Sequence, residues 1–467
     1  MSRSSRRGWG IGLGVAAAVG VGIRFNNALL YPLDMGFDAI GNWEYIALLL
    51  RDWTLPPPDT GWSTAHPPFF YNFAAAIVSI GDFTSKLAGV QAIRLATALC
   101  GVVGIAAAVH LVRRLDPGNA RRACLAGGLI FFLPVHLYMS AMLSEEILVT
   151  TFISLALVGV ALDLAATPSM SGDTSIDVSA FSGRSILRAS TFGAIAGLAL
   201  LTKLSGLLVV AVGSGAYLLH DLRRGSGIFG ARHMWAFGLT ASVFGGWYYL
   251  WNVYTYGYLY PHGLEVHSVM FRMPPGEREL LDYLRFPLAT FTDAQLLAPD
   301  LLRSVWGSTY VTIWFDGHRS FLPNSSPVVR QLGTAIGLLA LVPTTAFLVG
   351  LVRGAKRLLR DLTGPDLVLL GLVFATLLGY IVFTWRNPWF AVLKGSFLLG
   401  LSVPFAFYAS EVLADWTRGR SLRSASILAC LGLLVVLSIG SFTYGLVFSK
   451  LEIPGVHWQP VEKPWQG

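Results

Sequence analysis

Several charged and imidazole side chains interrupt apolar sequence where a chain of this kind has little structural use for them. Asp38 closes an apolar segment (Phe37-Asp38) and precedes the aromatic run Trp43-Glu44-Tyr45-Ile46. An aspartate there can cap the helix that follows or serve as a catalytic carboxylate, and the residue type leaves both open. Beyond the Pro-rich turn Leu55-Pro56-Pro57-Pro58 comes His66-Pro67-Pro68. Proline fixes the backbone and keeps the residue before it out of a helix, so the triplet can aim His66 at a site or simply start the next helix. Ser144-Glu145-Glu146 places two acids at a helix start, where the dipole favours them and where a site could also use them. Leu201-Thr202-Lys203-Leu204-Ser205-Gly206 breaks an apolar run with one cation. At mid-bilayer Lys203 would cost roughly 2.5–3.5 kcal/mol, unless it snorkels to the surface. In Trp247-Tyr248-Tyr249 through Asn252 and Tyr256-Gly257, an aromatic belt accounts for the Tyr and Trp but not for the Asn and Gly spacing. Arg386 and Lys394 are cations beside later apolar segments. His262, His267 and Asp316-Gly317-His318 are further candidates for sugar or metal, without a recognisable ligand spacing.

These residues must be carried by membrane helices. The 467 residues are 54% hydrophobic and 13% charged, with a mean hydropathy of +0.60, whereas soluble domains carry about 25% charged residues. Apolar runs long enough to cross a bilayer are expected near 8–24, 90–112, 123–142, 147–165, 189–202, 205–220, 234–251, 328–352, 364–384, 388–411 and 423–447. Lys and Arg resist translocation. With the N-terminus inside, the inner segments hold 19 of the 34 Lys and Arg, and the first outer loop (25–89) has six Asp/Glu against two Lys/Arg. The pI near 9.4 therefore reflects orientation and contact with membrane lipids, and no basic helix or RNA-binding signature points to nucleic acid. Arg3, Arg6 and Arg7 before an apolar stretch fit a signal peptide, but an uncleaved first helix suits the polytopic pattern better. Cys100, Cys124 and Cys430 fall in predicted helices, so neither a disulfide framework nor a zinc cluster is indicated. Within the first outer loop, Ile40, Trp43, Ala47 and Leu50 recur at helical spacing, as do Phe69, Phe73, Ala76 and Ile80. Both runs are too short to span and read as helices lying on the membrane surface. The second long outer segment is 252–327. The inner loop 166–188 is Ser/Gly/Thr-rich, and no fixed-period repeat appears.

The order Asp38, His66-Pro67-Pro68, Glu145-Glu146, Thr202-Lys203-Leu204-Ser205-Gly206, Trp247…Asn252…Tyr256-Gly257 and Lys394-Gly395-Ser396-Phe397-Leu398 resembles that of GT-C glycosyltransferases. These use sugars carried on polyprenyl or dolichyl phosphate, and protein O-mannosyltransferases and lipid A aminoarabinose transferases are among them. Relatives have a second acid directly after the first, or a His soon afterwards, where this chain has Ala39 and Asn42. Ser396 stands where they carry Arg, and Pro404 comes late. The resemblance implies an all-α polytopic fold of about 11 transmembrane helices, with 1–467 one membrane domain and loops 25–89 and 252–327 forming its active face. It implies transfer of a hexosyl or pentosyl group, with inversion, from a polyprenyl-phosphate carrier to a lipid, glycan or protein acceptor at the extracytoplasmic face, that is, outside the cell (inner) membrane if the source is bacterial. Asp38 would be the general base. His66, Glu145, Glu146, Lys203, Asn252, Tyr256, Arg386 and Lys394 would bind substrate, with Lys394 and Arg386 on the lipid phosphate. No cofactor is firmly implied, although a divalent metal has room in the reading. The alternative is a polytopic transporter or lipid flippase, against which stands the clustering of polar residues at one face.

Overall fold

The computed structural model describes residues 3–83, 85–166, 178–260, 275–294, 298–322, 327–360, 362, 364–419 and 421–446. Among them the chain is a helical bundle, and eight helices are long and apolar enough to cross a membrane. Five of these are α1 (Arg3–Leu30), α4 (Lys86–Leu115), α7 (Glu146–Ala166), α8 (Val178–Thr202) and α15 (Pro365–Arg386). The consecutive α13 (Pro327–Leu339) and α14 (Leu341–Leu358) form another, and α17 (Leu422–Phe442) is the last in the chain. In the eighth, the 3-10 turns Phe390–Val392 and Gly395–Leu401 precede α16 (Ser402–Trp416). The protein is an integral membrane protein of all-α class.

The other three expected crossings are shorter or interrupted. Around 123–142 the chain forms α5 (Ala120–Phe131), breaks at Leu133, and resumes as α6 (Pro134–Met139), because Pro134 cannot donate into a preceding turn. The carbonyls freed at the end of α5 go to Arg24, whose guanidinium donates to Phe131 O at 3.0 Å and Ile130 O at 3.4 Å. The segment near 205–220 is α9 (Gly206–Arg223). The one near 234–251 is α10 (Arg232–Ala241) and α11 (Trp247–Tyr256), joined by a π-helical stretch at Ser242–Gly246. α8 and α10 lie backbone to backbone, and a Cβ on Gly193 would come within 2.3 Å of Phe237 O.

Two features place the polar residues. α7 is buried along most of its length, as expected of a helix that is apolar all round. It packs against α4, α8 and the 395–401 turns, and carries Glu146 at its first residue. The helices expected in the first outer loop are α2 (Ala39–Asp52) and α3 (Phe69–Ile80), but the stripe picked out by spacing is their outward side: Ile40 is 45% and Ile80 87% exposed. Their inward side is Tyr45, Ile46, Leu49, Phe70, Tyr71 and Ala74, packed on Ile93 of α4 and Leu148 of α7. Both faces of these helices are thus largely apolar, one meeting protein and the other available to lipid.

Candidate active site

The stretch leading to Asp38 is held by Arg94 of α4. Its guanidinium donates to Tyr31 O (2.6 Å), Pro32 O (2.9 Å) and Leu33 O (3.3 Å). Asp38 itself has φ 55° and makes no side-chain cap bond to α2. The left-handed backbone is costly for a residue with a Cβ, though aspartate tolerates it better than most. Freed from capping, the carboxylate accepts a hydrogen bond from Trp62 Nε1 at 2.8 Å and faces Lys394 Nζ at 3.8 Å. Burial pushes the Asp38 carboxyl up, but Lys394, the Trp62 bond and His66 together hold it below the usual carboxylate range.

Lys394 precedes the 395–401 turns. Its ammonium lies over the Phe37 ring at 4.1 Å. The segment is seated by Gly395 N donating to Thr312 Oγ1 of α12 (Val305–Trp314) at 2.8 Å, and a Cβ on Gly395 would come within 2.7 Å of Ile313 N. Two residues on, Ser396 Oγ donates to Glu146 Oε1 at 3.4 Å. The position where relatives have Arg therefore faces an acid.

Glu145 and Glu146 converge on Lys203, whose Nζ lies 2.8 Å from Glu145 Oε1 and 2.7 Å from Glu146 Oε1. Burial raises the Glu145 carboxyl, but Lys203 and His66 bring it down to about 2. Burial lowers the Lys203 ammonium, and the two glutamates more than reverse this. Gly206 closes the turn behind Lys203, where a Cβ would meet the Ala199 carbonyl carbon at 2.3 Å. The Thr-Lys-x-Ser-Gly spacing is thus required by a tight reversal between α8 and α9.

His66 is held in a chain of hydrogen bonds. Its Nδ1 is 3.0 Å from Tyr71 Oη, Tyr71 donates to Asn42 Oδ1 at 2.9 Å, and Asn42 Nδ2 donates to Leu143 O at 2.8 Å. Tyr248 Oη donates to His66 O at 3.3 Å, and Tyr249 Oη to Leu200 O at 3.0 Å. The aromatic pair of α11 therefore props both the His66 turn and the end of α8 that leads to Lys203.

Asp38, His66, Glu145, Glu146, Lys203 and Lys394 thus form one cluster. The remaining candidates lie outside its direct contacts among the described residues. Asn252 is buried, with Nδ2 3.5 Å from Leu259 O. Tyr256 packs edge-on against Trp251, and Gly257 ends α11 at φ 77°, so the Tyr-Gly spacing serves a helix cap. Arg386 is exposed at the end of α15. Asp316 accepts from the backbone N–H of Ser320, Phe321 and Leu322, and His318 Nε2 bonds Leu393 O at 3.1 Å. Burial first, then Lys394, takes the His318 imidazole down to about 3, so this neutral ring supports the Lys394 segment. His262 and His267 lie outside the described residues. Trp62, Arg94, Asn42 and Tyr71 are site residues that sequence reasoning missed. A tryptophan inside a Pro/Gly-rich loop and an arginine inside an apolar helix were the available signals.

Beneath Glu146 a narrow cleft of about 20 Å³ lies between α7, α9, α15 and the 395–401 turns. Glu146, Ser205 and Ser396 form its polar head, and Ile153, Leu208 and Leu372 are among its apolar walls. Among the described residues no group of three or more His, Cys, Asp or Glu is arranged to hold a metal ion.

No family model and no curated protein sequence matches the chain. Solved structures do. The apo oligosaccharyltransferase of Archaeoglobus fulgidus aligns at a TM-score of 0.52 and 16% identity, over 93% of this chain and 56% of that one. The same enzyme, AglB, in complex with an inhibitory peptide and a dolichol-phosphate gives 0.51 and 17%, over 96% and 57%. It also has a structure in complex with Zn and sulfate. ArnT from Cupriavidus metallidurans bound to undecaprenyl phosphate aligns at 0.41 and 17%, over 89% and 81%. The chain spans little more than half the length of the oligosaccharyltransferase, and over that span the two share a fold.

Proposed function

We propose that the protein is a membrane glycosyltransferase that moves a sugar from a polyprenyl-phosphate carrier to an acceptor hydroxyl or amine at the extracytoplasmic face. The observation that carries this reading is the loose pairing of Asp38 with Lys394, at 3.8 Å, at one end of a membrane bundle. A carboxylate and a cation so spaced can part to receive an acceptor and a phosphate. The dolichol-phosphate bound to AglB is a carrier of the chemistry this reading calls for.

In this mechanism the bond from the acceptor oxygen to the anomeric carbon forms as the bond from that carbon to the phosphate oxygen breaks. A single displacement inverts the centre. Charge gathers on the leaving phosphate, where Lys394 stabilises it. The acceptor must lose a proton, and Asp38 draws it off as general base. Lys203, held between Glu145 and Glu146, organises the wall of the site, while Arg386 lies at its rim. A divalent ion does not fit the carboxylates as they stand. Asp38 is engaged by Trp62 and Lys394, and both glutamates by Lys203, so no step is routed through a metal. Sugar and acceptor are tested by offering the purified protein a panel of polyprenyl-phosphate sugars. Transfer from at least one is expected. Failure with all of them, alongside binding or movement of lipid that survives Asp38→Asn, would support a transporter instead.

A further inference from the structure

The cleft beneath Glu146 gathers side-chain oxygens from four separate segments. Glu146 is 7% exposed. Its hydrogen bonds from Lys203 Nζ (2.7 Å) and Ser396 Oγ (3.4 Å) both fall on Oε1, and Oε2 has no hydrogen-bond partner among the described residues. One helical turn on, Thr150 lies on the same face of α7. It lines the cleft, as do Ser205 between α8 and α9 and Thr376 of α15. Thr150 and Thr376 are 4% and 6% exposed, and neither hydroxyl makes a hydrogen bond among the described residues. Ser205 stands at the start of α9 without making a side-chain cap bond. Ser396 gives its proton to Glu146, so the lone pairs of its oxygen remain available.

Charge, size and donor type together select a ligand for these oxygens. A buried polar group without a partner is costly, and a buried charge more so. Glu145 and Glu146 meet one ammonium, that of Lys203, so the trio carries one negative charge in excess. The 20 Å³ of the cleft has room for about one water-sized occupant. A water there would give the hydroxyls a partner but would leave the charge. Magnesium keeps several of its waters and calcium takes about six to eight oxygens, more than the cleft can hold, and either would overshoot the charge by one. A small monovalent cation stripped of its water meets all three conditions. We propose that the cleft binds one sodium ion through Glu146 Oε2 and the hydroxyl oxygens of Thr150, Ser205, Thr376 and Ser396. Bound there, the ion ties α7, α9 and α15 to the turns that follow Lys394. The site stands independently of the transferase reading.

The test uses the full-length protein in detergent, with sodium chloride exchanged for choline chloride at constant ionic strength. The midpoint of thermal unfolding should rise with sodium and level off, as for a ligand that binds only the folded chain. Radioactive sodium should bind to a limit of one ion per chain. Thr150→Val and Thr376→Val keep the branched shape of the side chain. Each should weaken sodium binding about 10- to 100-fold, the range for removing a group that supports a bound metal. Ser205→Ala loses no cap bond and should weaken it likewise, which keeps the test decisive where a threonine variant does not fold. If unfolding is the same in sodium and choline and no radioactive sodium binds, a water occupies the cleft and the proposal fails. If sodium binds but the variants hold it as tightly as wild type, the ion sits elsewhere and the proposal fails. If stability responds to acidification and is indifferent to sodium, a proton on Glu146 removes the excess charge, and the proposal is again overturned.

Discussion

The two ends of the bundle both carry charged side chains, but they are built differently. At the end where α14 meets α15, Arg357 forks across Asp366 at 2.7 and 3.1 Å and reaches Glu411 at 2.8 Å. Tyr408 Oη donates to Asp366 at 2.7 Å, and Arg353 meets Asp415 at 2.6 Å. Each of these carboxylates meets an arginine at under 3 Å, in the planar geometry that suits guanidinium. At the other end the cations are lysines, and the Asp38–Lys394 pair is 3.8 Å apart. The first arrangement joins α14, α15 and α16. The second keeps an anion and a cation apart, on segments whose backbones are pinned from behind by Arg94, Thr312 and Tyr248. Lys203 is held tightly by its two glutamates, so the one loose pair there, Asp38 and Lys394, is what suits a site that must admit charged substrates.

The largest effect should come from the open end. Asp38→Asn keeps the residue's size and the hydrogen bond from Trp62, but the amide cannot take a proton at neutral pH. Transfer should drop at least 100-fold, with expression and thermal stability close to wild type. Near-normal turnover would reduce Asp38 to a spacer and dissolve the contrast between the ends.

The closed end should respond the other way. Arg357→Met leaves Asp366 with only the Tyr408 hydroxyl and Glu411 with the more distant Arg122 and Arg353, at side-chain exposures of 10% and 18%. A fully buried pair broken on one side costs about 3–5 kcal/mol. The Arg357 side chain is 40% exposed, so the smaller range of about 1.5–3 kcal/mol for a charged hydrogen bond applies. Thermal unfolding should shift down while turnover per folded molecule stays unchanged. A loss of turnover with unchanged stability would mean that this end communicates with the site.

Much of this contrast was legible in the sequence, and the illegible part has a physical reason. Apolar runs report helices because burial in lipid demands them, and the eight long helices overlap the expected spans, with α8 starting well before its expected 189. The break at Pro134 was marked by proline, yet a run of apolar residues hides it. In α2 and α3 the stripe marked surface helices but not the side that packs on protein, because a helix between protein and lipid is apolar on two sides and period alone cannot say which side is which. Among the candidate residues, Asp38 pairs with Lys394, and Glu145 and Glu146 pair with Lys203. Their spacing could not reveal that Lys203 is already neutralised, since pairing across 57 residues depends on how α7 and α8 pack. Trp62, Tyr71 and Asn42 were invisible for a related reason, as each acts only through the side chain it holds.

The last prediction grades the cations, from the one held loosely in the cluster to the one outside it. Lys394→Met preserves the length and apolar stem that pack on Phe37, and removes one charge from a poorly hydrated site. Binding of a non-hydrolysable polyprenyl-phosphate analogue should weaken by roughly ten- to a hundred-fold, the equivalent of about 1.5–3 kcal/mol. Arg386 is exposed at the end of α15, where water and salt screen its charge. Arg386→Met should therefore weaken the same analogue by no more than about threefold, and that small loss should vanish at high ionic strength while the Lys394 effect persists. If Arg386→Met costs as much as Lys394→Met, the phosphate sits at the rim and the 3.8 Å gap between Asp38 and Lys394 is not where the carrier binds. If Lys394→Met costs nothing and Lys203→Met abolishes binding, the phosphate displaces the two glutamates, and the loosely paired cation has been assigned to the wrong ligand.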